Sequence, residues 1–251
     1  MRASRQSSPD SAQGVPRSGC WQHECNYSRM STIRAVTIQV GRDLLNADLA
    51  VPPQARGVII FAHGSGSGRL SPRNRAVAAA LNDAGYATLL ADLLTGDEEA
   101  IDTYTRQHRF DIELLAERLV GISDWAAHDP ATRHLSIGYF GASTGAAAAL
   151  VAAARRQDIV QAVVSRGGRP DLADGALRAV IAPTLLIVGS RDPDVRRLNE
   201  AALAMLPPTA ALEIVPGATH LFEEPGTLDV VTRLAREWFD QHLHASPLTI
   251  G

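Results

Sequence analysis

The chain has 251 residues, 45% of them hydrophobic and 20% charged, with a formal net charge of −3. That length suits one α/β domain with a sizeable core, and the weakly acidic balance offers no positive field for nucleic acid. No apolar run approaches the about eighteen residues a membrane-spanning helix requires, so a soluble, cytoplasmic protein acting on small molecules is expected, without a nucleic-acid or membrane partner.

Residues 1–30 are rich in Ser, Arg, Gln, Gly and Pro and contain no apolar run. A disordered tail is expected there rather than a secretory signal. The chain's two cysteines, Cys20 and Cys25, both fall in its stretch CWQHEC. That stretch holds too few soft ligands for a structural zinc, and the remaining chain has no cysteine for a disulfide or a nucleophile. Met30 opens the first alternating segment and is a candidate translation start alongside Met1; 246–251 reads as a short tail.

From Ile33 to Val40 apolar and polar residues alternate, Gly41–Asp43 turn the chain, and LLNADLAV alternates again to Val51, as in a hairpin at a sheet edge. After Pro52 and Pro53 the pattern changes. GVIIFA (57–62) is continuously apolar, as a strand buried on both faces must be. Similar runs follow at 87–93, 134–140, 159–165, 184–189 and 211–216, with helical patterns at about 72–84, 110–128, 143–156, 195–205 and 226–243. Ser71 and Pro72 suit the cap and first turn of the first of these helices. The polar segment 95–109 reads as a mobile loop at the entrance to a site. Strands alternating with helices imply a mostly parallel sheet of eight strands, an N-terminal antiparallel hairpin and helices on both faces, spanning 31–245 as one domain.

In such a sheet ligands bind beyond the carboxyl ends of the strands. Five segments occupy that position: HGSGSG (63–68), Ser143 within GASTG, SRGGRPD (165–171), SRDPD (190–194) and GATH (217–220). A serine hydroxyl is a weak nucleophile and needs a base, a group to orient that base, and donors for the oxyanion formed on attack. Ser143 stands between Gly141 and Gly145 where an apolar strand becomes an alanine-rich helix. His220 follows the last strand, and Asp192 follows the strand before it, with Asp194 as competitor. The order serine, acid, histidine is the one this architecture produces. The backbone N–H groups of Ser65 and Thr144 are the expected oxyanion donors, and His63 is expected to brace its loop. Arg166 and Arg169 read as a flexible basic lip for a substrate carboxylate or phosphate, or else as surface ion pairs.

GASTG resembles the nucleophile elbow of the α/β-hydrolase fold, GSRDPDV its acid turn, GATHLF its histidine loop and HGSGSG its oxyanion loop. The likeness covers residues 33 to 243, and the nearest branch is the dienelactone hydrolase-like one. It departs in one respect: dienelactone hydrolases proper carry cysteine in the elbow, where this chain has Ser143. The resemblance implies a serine hydrolase cleaving small carboxylic esters, without cofactor or metal. Acyl transfer, amide cleavage and perhydrolysis would use the same parts, and a non-catalytic binding module would keep the pocket alone. Only about eighteen residues separate Arg166 from Pro183, too few for a lid of several helices.

Overall fold

In the computed structural model, which describes residues 32–244, the apolar runs become eight strands of one sheet. They are β1 (Ile33–Val40), β2 (Asp43–Ala50), β3 (Val58–Ala62), β4 (Ala87–Ala91), β5 (Ile137–Ala142), β6 (Val160–Arg166), β7 (Thr184–Gly189) and β8 (Ala211–Val215). The expected tails, Met30 and the two cysteines lie outside the described residues.

The strand order is β1-β2-β4-β3-β5-β6-β7-β8. β1 and β2 form the antiparallel hairpin, β2 runs antiparallel to β4, and every later pairing is parallel. β1 covers the sheet edge and exposes most of its side chains, whereas every residue of β3, β4, β5 and β7 is buried. That difference is why the central strands are apolar throughout while the hairpin alternates.

Among the described residues six helices pack on the sheet, five between strands and the last after β8: α1 (Pro72–Asp83), α2 (Gly96–Thr105), α3 (Ile112–His128), α4 (Thr144–Arg155), α5 (Pro193–Leu203) and α6 (Thr227–His242). Two buried clusters result, one on each face. Val77, Leu81 and Phe239 of α1 and α6 pack with Ile59, Phe61 and Phe140. On the other face Leu119 and Ile122 of α3 and Leu150 of α4 pack with Ile60, Leu89 and Tyr139. Residues 144–153 of α4 are all buried, which its run of alanines permits by letting the helix lie close to its neighbours.

The segment 95–109 departs from the mobile loop expected of it. Gly96–Thr105 is helical because Thr95 and Glu98 form a reciprocal capping box, Thr95 Oγ1 accepting from Glu98 N–H and Glu98 Oε2 from Thr95 N–H. The buried Asp102 carboxylate then gathers the N–H groups of His108 and Arg109 and the Arg109 Nε–H. These bonds to its charged form, with the Arg109 charge, outweigh burial and hold the carboxyl below its ordinary range. Between β6 and β7 the chain folds only as a 3-10 segment, Pro170–Ala179, with no lid among the described residues.

The chain passes from β3 to β4 on one side and returns to β5 on the other, so strand order reverses at β3. The loops after β3 and β5 therefore meet at the switch point where α/β sheets place their ligands.

Candidate active site

Ser143 occupies the sharp turn between β5 and α4 with φ 52° and ψ −122°. A side-chain-bearing residue in that conformation stores backbone strain of about 1–3 kcal/mol. The turn is possible because strand and helix nearly touch: a Cβ on Gly145 would lie 2.2 Å from the Ala62 carbonyl oxygen, and one on Gly141 2.5 Å from Ala146 Cα. Gly145→Ala is expected to cost about 3 kcal/mol through overpacking and to lower Tm by roughly 6–12 °C, readable by calorimetry. Although Ser143 precedes the first turn of α4, its hydroxyl makes no capping bond. The serine is thus held in a strained pose without serving the helix.

His220 and Asp192 come together from successive loops. His220 Nδ1–H donates to Asp192 Oδ2 at 2.7 Å. Asp194 instead faces solvent and pairs with Arg197. The two loops are tied by main-chain bonds, Ser190 N–H to Val215 O and Arg191 N–H to Ala218 O, both 2.9 Å. Glu224 Oε2 accepts the Thr219 N–H at 3.1 Å. The histidine is therefore anchored at its Nδ1 side, leaving Nε2 for chemistry. No hydrogen bond joins Nε2 to Ser143 Oγ; in serine hydrolases this contact often tightens only when substrate is bound.

The loop after β3 abuts the elbow, since a Cβ on Gly64 would lie 3.0 Å from Ser143 Cβ. The N–H groups of Ser65 and Thr144 have no acceptor among the described residues, and Ser65 Oγ and Thr144 Oγ1 are 3.0 Å apart. A cleft of about 310 Å³ opens beside them, lined by Ser65, Thr144, Asp92, Glu99 and Asp102 among others; Ser143 and His220 are not part of its lining.

His63 fixes the floor of this loop. Its Nε2 accepts the Leu93 N–H at 2.9 Å and its Nδ1 faces Gly64 O at 3.1 Å, so the ring is the neutral Nδ1–H tautomer. Burial lowers its pKa. In the unfolded chain the ring protonates near pH 6.5, so the unfolded state binds more protons than the folded one as pH falls below that value. Stability contributed by neutral His63 is present above about pH 6.5 and is lost below it. Thermal unfolding at pH 7.5 and 5.0 is expected to show a smaller acid-side fall in Tm for His63→Gln than for the wild type.

Arg166 and Arg169 do not form the flexible lip expected of them. Arg166 is the last residue of β6 and is buried. The Gly168 carbonyl is held by the Asn199 amide at 2.9 Å, and the Arg169 N–H by Ser143 O at 3.1 Å. Arg169 places its guanidinium fork on Asp171, at 2.8 and 2.7 Å. The segment is rigid because its backbone groups are bonded to the elbow and to α5.

Among the described residues no three or more His, Cys, Asp or Glu side chains gather as metal ligands would, and no helix is long and apolar enough to cross a membrane.

Residues 45–241 match the model of the dienelactone hydrolase family. The chain belongs to that family. A dienelactone hydrolase from Anabaena variabilis, known from its crystal structure, is 59% identical; the match covers 85% of this chain and 99% of that one, with a TM-score of 0.84. Proteins of two Mycobacterium tuberculosis strains are 60% identical over 195 residues and carry the provisional name phosphoribosyl transferase. The match spans 78% of this chain but only 43% of theirs, so that name describes a longer protein. Est1E from Butyrivibrio proteoclasticus shares the fold at 20% identity, with a TM-score of 0.70 over 82% of this chain and 98% of its own. Within the dienelactone hydrolase family, then, this chain has the α/β-hydrolase fold and carries serine at the β5–α4 turn.

Proposed function

We propose that the protein is a serine hydrolase of small carboxylic esters. Ser143 Oγ attacks the ester carbonyl carbon while His220 Nε2 takes its proton, and the N–H groups of Ser65 and Thr144 receive the oxyanion. The tetrahedral adduct collapses, His220 returns the proton to the leaving alkoxide, and an alcohol departs. Water then attacks the acyl-enzyme, giving up a proton to His220, and the acid is released as Ser143 is restored. Asp192 keeps the proton of His220 on Nδ1 so that Nε2 can accept. The observation that carries the reading is the strained Ser143 backbone with a hydroxyl unused by the helix.

The substrate is a small-molecule ester, without nucleic-acid or membrane partner and without cofactor or metal, met in the cytoplasm. The modest cleft and the short β6–β7 connection favour small acyl groups over long chains. A fluorophosphonate probe, mapped by intact mass and peptide analysis, is expected to label Ser143 with one adduct per chain. Failure to label, together with no turnover of phenyl or nitrophenyl acetate, overturns the reading in favour of a binding module.

A further inference from the structure

We propose that the cleft beside the loop after β3 holds the acyl part of the substrate and selects acyl groups bearing several hydroxyls, as in esters of small polyhydroxy acids; the claim rests on the hydrolase reading above.

The position follows from the chemistry. Two groups flank the ester carbonyl carbon, and the alcohol part must lie at His220 Nε2 to receive its proton. The cleft is lined by Ser65 and Thr144, whose N–H groups receive the oxyanion, but not by His220. It is therefore the place for the other group, the acyl chain. At about 310 Å³ it stands at the small end of ligand pockets, which suits a chain of a few carbons.

An aliphatic chain does not suit its walls. Leu94 and Leu115 are the only apolar side chains in the lining, and both are buried. The carboxylates of Asp92, Glu99 and Asp102 stand there with the guanidiniums of Arg106 and Arg109. An apolar chain would strip water from these charges without replacing its hydrogen bonds. An anionic chain would meet more negative groups than positive ones. A hydroxyl both donates and accepts, so a run of hydroxyls can bond carboxylates and guanidiniums at once.

Both kinds of partner are held in place with capacity to spare. Arg109 Nε–H donates to Asp102 Oδ2 at 2.6 Å and Nη2–H to the Asp102 carbonyl at 3.0 Å. Its Nη1 is left over, and a Cβ on Gly66 would lie 3.4 Å from it. Asp92 is fixed from behind by Arg69, whose N–H and Nη1–H donate to Oδ1 and Oδ2 at 2.8 and 2.7 Å. Each of those oxygens keeps a second lone pair, and a Cβ on Gly68 would lie 2.7 Å from Oδ1. A fixed donor and a fixed acceptor thus stand against the same glycine-rich loop. The side chains of Ser67, Glu99 and Arg106 have no hydrogen-bond or ion-pair partner among the described residues. A hydroxylated chain completes this set; an alkyl chain leaves it unmet.

Turnover of two phenyl esters by the full chain tests the selection. Phenyl 2,3-dihydroxypropanoate and phenyl propanoate share a leaving group, and the ratio of their hydroxide-catalysed rates corrects for intrinsic reactivity. Relative to that ratio, wild type is expected to favour the dihydroxy ester about tenfold in kcat/KM, the scale of hydrogen bonds to charged groups. Arg109→Lys keeps a cation for Asp102 but has no second nitrogen for the cleft, and the preference is expected to fall about fivefold. Glu99→Leu, at an exposed position of α2, is expected to lower it about threefold and serves if Arg109→Lys fails to fold. No preference in wild type, or a preference unchanged in the variants, overturns the proposal.

Binding separates this claim from the hydrolase reading. Saturation-transfer NMR on wild type and Ser143→Ala, with erythritol and butan-1-ol as probes, is expected to show transfer to erythritol and not to butan-1-ol, with the erythritol signal weakened in Glu99→Leu. No transfer to erythritol, or equal transfer to both probes, overturns the subsite. Erythritol bound by a protein that cleaves neither ester overturns the hydrolase reading instead, so the two failures are distinct.

Discussion

Replacing Ser143 with alanine is expected to lower kcat on nitrophenyl acetate by roughly six orders of magnitude, the scale seen when a serine that acts as a unit with its histidine is removed. The change should leave Tm within about 2 °C. Ser143 Oγ gives the helix no capping bond, and alanine at φ 52° inherits the same backbone strain without adding to it. A residual acceleration of roughly 10³ over water is expected, because the Ser65 and Thr144 N–H groups remain. Pre-steady-state kinetics read both phases: wild type releases a burst of nitrophenol as the acyl-enzyme forms, and the variant releases none. A loss smaller than tenfold would assign the nucleophile to another residue.

The second large effect is expected at Asp192. Its Oδ2 accepts the His220 Nδ1–H at 2.7 Å, which leaves Nε2 unprotonated to receive the serine proton. Asparagine has nearly the same shape, but its amide can present N–H to the ring and favour the tautomer whose proton sits on Nε2. A kcat loss of about 10⁴ follows, with KM changed little because the side chain touches His220 rather than the acyl group. Asp194→Asn is the control, since that carboxylate is 81% exposed and engaged with Arg197; its activity is expected to stay within twofold of wild type. Equal losses in the two variants would deny Asp192 its role.

Much of this molecule is readable from residue order, for reasons the structure makes specific. The continuous apolar runs are strands with both faces covered, so their pattern cannot be that of a surface element. Ser143, Asp192 and His220 were visible because each follows such a run at its carboxyl end. Glycines 141 and 145 mark the contact between β5, α4 and the end of β3.

What was not readable was side-chain environment. SRGGRPD looks like a flexible basic lip because two arginines and two glycines ordinarily belong to surface loops. Pairing of β6 with both neighbours continues as far as Arg166, opposite Ala142 and Ile187, and this brings its side chain to Asn74 of α1. The burial of Arg166 thus depends on strand register and on a helix 92 residues away, neither of which local composition reports. The helix at 96–105 is a different case. Its signal, Thr95 with Glu98 three residues later, was present, but polar composition outweighed it.

That helix has a further consequence. α2 is fastened by polar links, the Thr95–Glu98 box, the Glu98–Arg118 pair at 3.0 Å and the Asp102–Arg109 pair at 2.6 Å, and Asp102 is its single buried residue. Glu99, Asp102 and Thr103 of α2 line the cleft, and the helix contributes no residue to the two apolar cores. Chain stretches held in this way accept sequence change at little cost to folding, provided their fastenings persist. On the proposed reading, substitutions along 96–105 would reshape this wall of the cleft, and with it the choice of substrate, while the Asp192–His220 pair and the Ser143 turn stay in place.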